Sequence, residues 1–480
     1  MRPDRIVPLI VAVALFMENL DSTVIATSLP AIATDIGTNP LALKLAVTSY
    51  LLSLAVFIPA SGWTADRFGA RAVFRAAIGV FVIGSIGCAI SGSLTDFVIA
   101  RIVQGMGGAM MTPVGRLVLI RTIPKRDLVN AMTWVTTPAL IGPVLGPPIG
   151  GFITTYATWH WIFLINVPMG ILGVILASRY IEDVRAEKHD PFDLAGMAFS
   201  GLGIAGVAFG LSVLGLNFLP AWVVAALVGG GAVFIVAYLV HARRTPYPAL
   251  DLTLFRIPTF FTSVVGGFMF RMGIGALPFL LPLMLQIGFG MSPFQSGLIT
   301  FASAVGAMFM KMVAARLLRR FGFRTIMLSN TLISAAFLAV CAAFTQATPA
   351  AVMFALLLIG GFFRSLQFTS INTLAYADVE PARVSRATSL VSVAQQLAIS
   401  AGVAFGALAV ELTVRFRGED ALAAQDFPPA FLAVAAVSGL SVLFFVRLSP
   451  HAGAEMSNRT HLRDAAEKKG AASRARREFE

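Results

Sequence analysis

Fourteen apolar segments, each long enough to cross a lipid bilayer as a helix, run along this chain. A transmembrane helix needs about 20 predominantly apolar residues. The segments are 6–28, 43–63, 72–91, 96–119, 131–154, 160–179, 192–214, 220–241, 258–285, 293–315, 324–344, 349–373, 387–412 and 428–446. Only 12% of the residues are charged, roughly half the fraction of a soluble domain. The sequence therefore predicts an all-α polytopic membrane protein with fourteen transmembrane helices.

Basic residues distinguish the two sides of the membrane. Of the 36 Lys and Arg residues, 29 lie in the leader, loops and tail of one side. The other side has Lys44, Arg415 and Arg417. Because loops rich in Lys and Arg stay in the cytoplasm, we predict a multi-pass protein of the cell inner membrane with both termini cytoplasmic. The net charge of +12 follows from this topology, so we expect no nucleic-acid partner.

A short motif recurs in the two parts of the chain. The stretch 62–71 follows the second segment and 315–324 follows the tenth, and both contain Arg-Phe-Gly-x-Arg. This repeat predicts two six-helix bundles, with a substrate site at their interface near the bilayer midplane. We predict bundles at 1–180 and 258–447, two inserted lipid-facing helices with their loops at 181–257, and a mobile charged tail at 448–480.

The first segment lacks a cleavage site followed by polar sequence, so we expect it to be retained as a helix.

The stretch 62–71 also resembles the signature loop of the major facilitator superfamily. Gly, Asp-Arg, Gly and a basic residue stand at the family's spacing, and Ala70 departs from it where the family often has a second basic residue. The resemblance implies a conformational latch formed by Gly62, Asp66, Arg67, Gly69 and Arg71. Asp66 could accept hydrogen bonds from the other bundle, and the glycines would allow a tight turn and a close approach. A charge cluster that only sets topology is the alternative.

Three prolines and four glycines occur among the ten residues 142–151 of the fifth segment. They remove backbone hydrogen bonds and side-chain bulk, which predicts a kinked helix with a flat face for close packing. The stretch resembles the antiporter motif of the superfamily's drug exporters, through Gly142, Pro143, Gly146, Pro147, Gly150 and Gly151. Small-residue packing without a role in transport is the alternative.

Ionisable residues inside the apolar segments are few. Of 24 acidic residues, only Glu18 and Asp21 lie well inside a segment, and their spacing places both on one helix face. Arg101 lies inside the fourth segment, where burial costs roughly 2.5–3.5 kcal/mol, so we expect it to face a cavity and a counter-charge. The stretch 20–30 resembles the first-span motif of fourteen-helix drug:proton antiporters, and 100–109 resembles the family's Arg-x-x-Gln-Gly element. The resemblance implies proton coupling by Asp21, with Glu18 and Arg101 contributing. A purely structural pairing of Asp21 with Arg101 is the alternative.

Other polar residues inside the segments are candidates for a substrate cavity. These candidates are Gln104, Arg271, Gln286, Arg364, Gln367 and Asn372. A structural role is the alternative for those of the second bundle. The stretch 159–170 matches a further element of the subfamily, and its tryptophans suit an interfacial belt. Cys88 and Cys341 lie in apolar segments far apart, so we expect them to serve packing, and we predict no metal site and no cofactor.

The resemblance covers about residues 6–447 and is closest to bacterial multidrug-exporter-like proteins. It implies a proton-coupled antiporter that exports drug-like or amphipathic small molecules by alternating access, as a monomer in the bilayer. An exporter of a lipid or a cellular metabolite is an alternative, and so is a membrane receptor or scaffold on the same fold. We do not expect an enzyme, because no metal cluster and no nucleophile with a base lies inside the segments.

Overall fold

The computed structural model describes residues 3–123, 125–182, 192–214, 216, 219–419 and 421–456. Within these ranges the chain forms helices and connecting turns without a β-strand. Fourteen long helical stretches coincide with the fourteen predicted segments to within a few residues at each end, so the predicted fold is confirmed. The charged tail beyond residue 456 lies outside the described residues.

The long helices are numbered here in chain order. They are α1 (Ile6–Thr27), α2 (Pro40–Phe68), α3 (Ala70–Ala89), α4 (Leu94–Thr122), α5 (Lys125–Tyr156), α6 (Trp161–Tyr180), α7 (Leu194–Val213), α8 (Ala221–Ala242), α9 (Pro258–Gly288), α10 (Pro293–Phe321), α11 (Phe323–Ala343), α12 (Ala350–Leu374), α13 (Val384–Arg417) and α14 (Ala424–Phe445). All but α5 meet the length and hydropathy expected of a membrane span. α5 has 32 residues with four internal prolines, and several side chains between 125 and 140 are outside the described residues.

Local sequence explains where the helices begin and turn. Ser93 starts α4, because its hydroxyl accepts a hydrogen bond from the Asp96 amide at 3.1 Å. Ser292 and Gln295 form a capping box at the start of α10. Gly69 and Gly322 lie at equivalent positions of the repeated motif, with φ of 90° and 77°, a region that favours glycine. The two copies of the motif therefore share a backbone conformation as well as a sequence.

The helices pack into two groups, which we call the first half (α1–α6) and the second half (α9–α14). α1 packs against α5 and α6 within the first half, and α9 against α13 within the second. The halves meet mainly where α5 packs against α10 and where α2 packs against α13, and the end of α1 also contacts α9 and α10. We call the contact between α2 and α13 the seam.

The inserted hairpin, α7 and α8, is held together by glycines. A β-carbon on Gly231 would come within 2.6 Å of the Val207 amide nitrogen, so the two helices approach at backbone distance. α7 also packs against both α2 and α13, which places it along the seam. α8 exposes large apolar side chains such as Trp222, Val233 and Val236, as suits a helix that faces lipid.

Successive helices run in opposite directions, so their connections gather at two ends. We call the end with the α1–α2 connection the Lys44 end, and the end with the α2–α3 connection the Asp66 end. The halves touch at the Lys44 end. Gln286 donates to the Thr27 carbonyl oxygen at 2.9 Å, and the Phe294 amide donates to Thr155 Oγ1 at 3.1 Å. Both contacts join the first half to the second.

Candidate functional site

A cavity of about 290 Å³ lies between the halves. α1 contributes Glu18 and Ser22, α2 contributes Tyr50, and the second half contributes Phe279 and Gln395, among others. Most of the remaining lining is aliphatic, including Leu51, Leu54 and Val403. The cavity therefore combines an apolar wall with one carboxylate, one guanidinium group from Arg101 and a few neutral polar groups.

Asp21 lies beside this cavity but is fully buried in the first half, with 0% of its surface exposed. Its Oδ2 accepts a hydrogen bond from Arg101 Nη1 at 2.7 Å. Its Oδ1 accepts from Gln104 Nε2 at 2.8 Å and from Asn166 Nδ2 at 3.0 Å. Helices α4 and α6 thus place three donors around the carboxylate of α1, and such a buried anion needs this degree of pairing.

Arg101 connects this carboxylate to the cavity. The side chain is 1% exposed and forms part of the cavity wall. Its Nη1 also donates to Gln104 Oε1 at 2.6 Å, and its Nε donates to the Ala46 carbonyl oxygen at 3.3 Å. The guanidinium carbon lies 4.2 Å from the centre of the Tyr50 ring, within cation–π range. The predicted counter-charge of Arg101 is therefore Asp21.

Ser85 and Asn166 complete the group, and sequence reasoning missed both. Ser85 Oγ accepts hydrogen bonds from Gln104 at 3.0 Å and from Asn166 at 2.9 Å. Asn166 is fully buried and belongs to the stretch interpreted as an interfacial belt. In that stretch Trp161 is exposed, whereas Trp159 is buried and donates to Asp35 at 3.0 Å. We call Asp21, Ser85, Arg101, Gln104 and Asn166 the Asp21 cluster.

Glu18 and Asp21 point in different directions, although their spacing suggested one common face. Glu18 lines the cavity and accepts a hydrogen bond from Thr112 Oγ1 at 2.7 Å. Asp21 turns into the core of the first half. Three residues advance a helix by about 300°, so roughly 60° separates the two side chains, enough to place one in the cavity and one behind it.

The six residues predicted for the substrate cavity all lie in the described part of the chain, and none of them lines this cavity. Gln104 belongs to the Asp21 cluster, and Gln286 joins the halves at the Lys44 end. Gln367 is buried between α11 and α12, where it donates to Thr331 Oγ1 at 2.7 Å. In this structure the amides of all three glutamines bond to neighbouring helices, and their assignment to a substrate cavity stays a prediction.

Arg271 and Arg364, which lie inside spans of the second half, are buried and hydrogen-bond to neutral side chains. Arg271 donates to Asn372 Oδ1 at 2.5 Å and lies over the Phe368 ring. Arg364 donates to Ser303 Oγ between α10 and α12. Among the described residues, α13 supplies the polar cavity groups of the second half, Gln395 and Gln396.

The glycines of the antiporter motif pack α5 against the helix that carries Glu18 and Asp21. A β-carbon on Gly142 would lie 3.1 Å from the Leu20 amide nitrogen, and one on Gly146 would lie 2.8 Å from Thr23 Cβ. On the adjoining face of α5, a β-carbon on Gly151 would lie 2.9 Å from Phe294 Cα in the second half. The motif therefore lies between α1 and α10, in contact with both halves.

We expect Gly146→Ala to impair transport and to lower thermal stability, because the added methyl group collides with Thr23. Overpacking of this kind costs about 1–3 kcal/mol. Gly79→Ala in α3 is the matched control, since a β-carbon there would meet nothing within 4 Å. Thermal unfolding in detergent, together with transport in liposomes, measures both effects. Equal behaviour of the two variants would contradict this account of the motif.

The predicted latch residues lie at the Asp66 end. Asp66 pairs with Arg121, which lies at the end of α4 in the same half. Gly69 provides the tight turn, through its positive φ. Gly62 is exposed, and a β-carbon there would meet nothing within 4 Å, so the expected close approach at Gly62 is not made in this structure. Arg67 is exposed and Arg71 is partly exposed.

A second acid–base contact at this end ties the hairpin connection to α13. Asp251, between α8 and α9, accepts hydrogen bonds from Thr253 Oγ1 at 2.5 Å and from Arg383 at 2.8 Å. Burial raises the pKa of Asp251, but the hydrogen bonds from Thr253 and Arg383 outweigh burial and lower its pKa below the usual value. This carboxylate therefore remains ionised and holds the start of α13.

Comparison with known proteins identifies the family. The sequence model of the Major Facilitator Superfamily matches residues 11–266 and 263–477. The chain belongs to the Major Facilitator Superfamily. This superfamily of transporters is not an enzyme class, and the matching helices make the chain a multi-pass membrane protein.

Curated relatives within the superfamily are similar along almost the whole chain. A protein named for multidrug resistance, MdtD of Salmonella heidelberg (strain SL476), is 39% identical over 446 residues, covering 92% of this chain and 94% of the relative. MdtD of Salmonella typhimurium (strain LT2) is 40% identical over 450 residues, with the same coverage. The resemblance to multidrug exporters that the motifs indicated is thus confirmed in the sequence relatives.

Solved structures of the superfamily share the fold. The D-xylose-proton symporter superimposes with a TM-score of 0.67 at 16% identity, covering 93% of this chain and 98% of the symporter chain. The nucleoside transporter NupG gives a TM-score of 0.66 at 13% identity, covering 92% and 99%. At such identities the likeness concerns the fold alone.

Proposed function

We propose that the protein is a proton-coupled antiporter that exports drug-like or amphipathic small molecules across the cell inner membrane by alternating access. The observation that carries this proposal is the Asp21 cluster. It holds a buried carboxylate at 2.7 Å from Arg101, and Arg101 also forms part of the wall of the cavity between the halves. The relatives named for multidrug resistance support the class of substrate.

The composition of the cavity wall supports an amphipathic substrate. Aliphatic and aromatic side chains, such as Leu54 and Phe279, would bury an apolar body. Glu18, Gln395 and Gln396 would meet a polar or charged end of the molecule. A bound molecule in this position contacts both halves, so its arrival and departure can favour one arrangement of the halves over the other.

Asp21 is the proposed proton carrier. When it binds a proton, Arg101 loses its counter-charge and its guanidinium becomes available to the cavity wall. When it releases the proton, the ion pair forms again. The packing of α5 against α1 and α10 would transmit this change to the second half. A membrane potential of 100 mV contributes about 2.3 kcal/mol for each charge moved, which suffices to bias such a cycle.

The proposed orientation places the Asp66 end and both termini in the cytoplasm. Thr325 near the Asp66 end and Ala347 at the Lys44 end are both exposed and lie in the same half. In intact cells, we expect a membrane-impermeant thiol reagent to modify the Ala347→Cys variant and to spare Thr325→Cys until the cells are permeabilised. Modification of Thr325→Cys in intact cells would show that the protein has the opposite orientation in the membrane.

Two other functions are compatible with the family. An exporter of a lipid or a cellular metabolite would use the same cycle with a different cargo. A receptor or scaffold that had lost transport would not need a buried carboxylate beside a cavity, and the intact Asp21 cluster favours a transporter. We also propose that the protein acts as a monomer, with small molecules and protons as its partners.

Transport by purified protein in liposomes tests the proposal. With an inside-acidic pH gradient imposed on inside-out oriented protein, drug-like cations, lipids and metabolites would be offered in turn. We expect accumulation of amphipathic drugs, and its loss when the gradient is collapsed by a protonophore. Accumulation of a lipid or metabolite alone would show that the substrate class is not the proposed one. Transport that does not depend on the gradient would refute the coupling of export to protons.

A further inference from the structure

Lys44 is a buried cation at the seam. It begins the α-helical part of α2, immediately after the turn Pro40–Leu43, and its side chain is only 1% exposed. An ammonium group buried to this extent requires compensating partners. The sequence placed Lys44 among the three basic residues of the side opposite to the main group, without giving a reason for its presence.

The partners of Lys44 come from two other parts of the molecule. Its Nζ donates to the Leu214 carbonyl oxygen at 3.3 Å, at the C-terminal end of α7 in the inserted hairpin. Helix C-termini carry partial negative charge, which favours a cation at this position. The Nζ also lies 3.7 Å from Glu411 Oε2 in α13, and this glutamate is 12% exposed. One ammonium group therefore connects the first half, the hairpin and the second half.

The surrounding packing holds these partners at the seam. α7 lies close to α2, since a β-carbon on Gly201 would come within 3.0 Å of Val56 Cγ1, and α7 also packs against α13. Glu411 forms a second ion pair with Arg415 at 3.0 Å, one turn further along α13. Of these two pairs, the Lys44 pair crosses between the halves and the Arg415 pair stays within one helix.

We propose that Lys44 is an ionic lock that holds the two halves and the inserted hairpin together at the Lys44 end. The lock rests on the proposed alternating access, because the halves must separate here to open the cavity at this end. Separation removes Glu411 together with α13 and exposes the ammonium group to water. The end of α7 is then part of the gate, which gives the inserted hairpin a role in the transport cycle in addition to its contact with lipid.

Distance measurements between spin labels test the lock. Thr34→Cys and Ala347→Cys introduce labels at exposed positions of the Lys44 end, one in each half, and the natural Cys88 and Cys341 are buried. In liposomes we expect Lys44→Met to raise the ratio of long to short distances about tenfold, which corresponds to roughly 1.4 kcal/mol of coupling. Glu411→Gln should act in the same direction, because it removes the partner charge of Lys44 in α13.

Arg415→Gln is the matched control, because it removes a cation from the same carboxylate without crossing the seam. We expect it to change the ratio by less than about twofold. The lock is refuted if Lys44→Met and Glu411→Gln leave the distances unchanged, or if Arg415→Gln shifts them equally. A wild-type protein that keeps a single short distance at every pH and with substrate would overturn alternating access and the lock together, whereas two populations unaffected by Lys44→Met would overturn the lock alone.

Discussion

Asp21→Asn abolishes proton-driven accumulation of substrate in the account developed here. For each proton exchanged, a pH difference of about one unit supports up to about tenfold accumulation, since a tenfold ratio corresponds to 1.4 kcal/mol. The asparagine retains one carbonyl oxygen, which can accept either from Arg101 or from Gln104 and Asn166, but it cannot bind and release a proton. We therefore expect the concentration ratio across the liposome membrane to fall to its equilibrium value while the protein stays folded.

Glu18→Gln is the matched control for this variant. Both residues lie in α1, three positions apart, and both changes replace a carboxylate by its amide. Glu18 accepts from Thr112 at the edge of the cavity, so we expect a milder loss, confined to substrates that carry a positive charge. If Asp21→Asn kept full gradient-driven transport and Glu18→Gln lost it, Glu18 would be the proton carrier instead of Asp21.

Arg101→Leu is expected to be the most destabilising single change in the Asp21 cluster. It leaves the carboxylate of Asp21, at 0% exposure, without its cation, and breaking a buried pair in this way costs about 3–5 kcal/mol. Thermal unfolding of the detergent-solubilised protein measures the loss, and liposome transport should be abolished in parallel.

The double variant Asp21→Asn with Arg101→Leu separates stability from coupling. Removing both charges relieves the unpaired carboxylate, so we expect much of the lost thermal stability to return while transport remains absent. A double variant no more stable than Arg101→Leu alone would show that the pair does not account for the loss. Recovered gradient-driven transport in the double variant would contradict the role of the pair in coupling.

The fold could be predicted from the sequence because lipid imposes strict requirements on a helix. Length and apolar character alone place a spanning helix, so all fourteen segments, including the proline-rich α5, are helical in the structure. The pairing of Asp21 with Arg101 could also be predicted, because a buried cation needs a counter-charge and few acidic residues lie inside the apolar segments.

The neutral polar residues could not be placed by the same reasoning. Asn166 and Ser85 carry no charge, and a hydroxyl or amide inside an apolar segment can hydrogen-bond to any neighbouring helix. The orientation of each helix about its own axis determines which neighbour such a side chain meets. It directs Gln367 towards α11 and Glu18 towards the cavity. A polar amide in the middle of an apolar segment was the one signal that could have indicated Asn166. The partners of Lys44 could not be predicted either, because Leu214 and Glu411 lie 170 and 367 positions away in sequence.

Proton release on substrate binding tests the central claim most directly. Purified protein in weakly buffered detergent would be mixed with a transported drug while a pH-sensitive dye reports free protons. We expect proton release by the wild-type protein and by Glu18→Gln, and none by Asp21→Asn that still binds the drug. Equal proton release by Asp21→Asn and the wild type would contradict the assignment of Asp21 as the proton carrier.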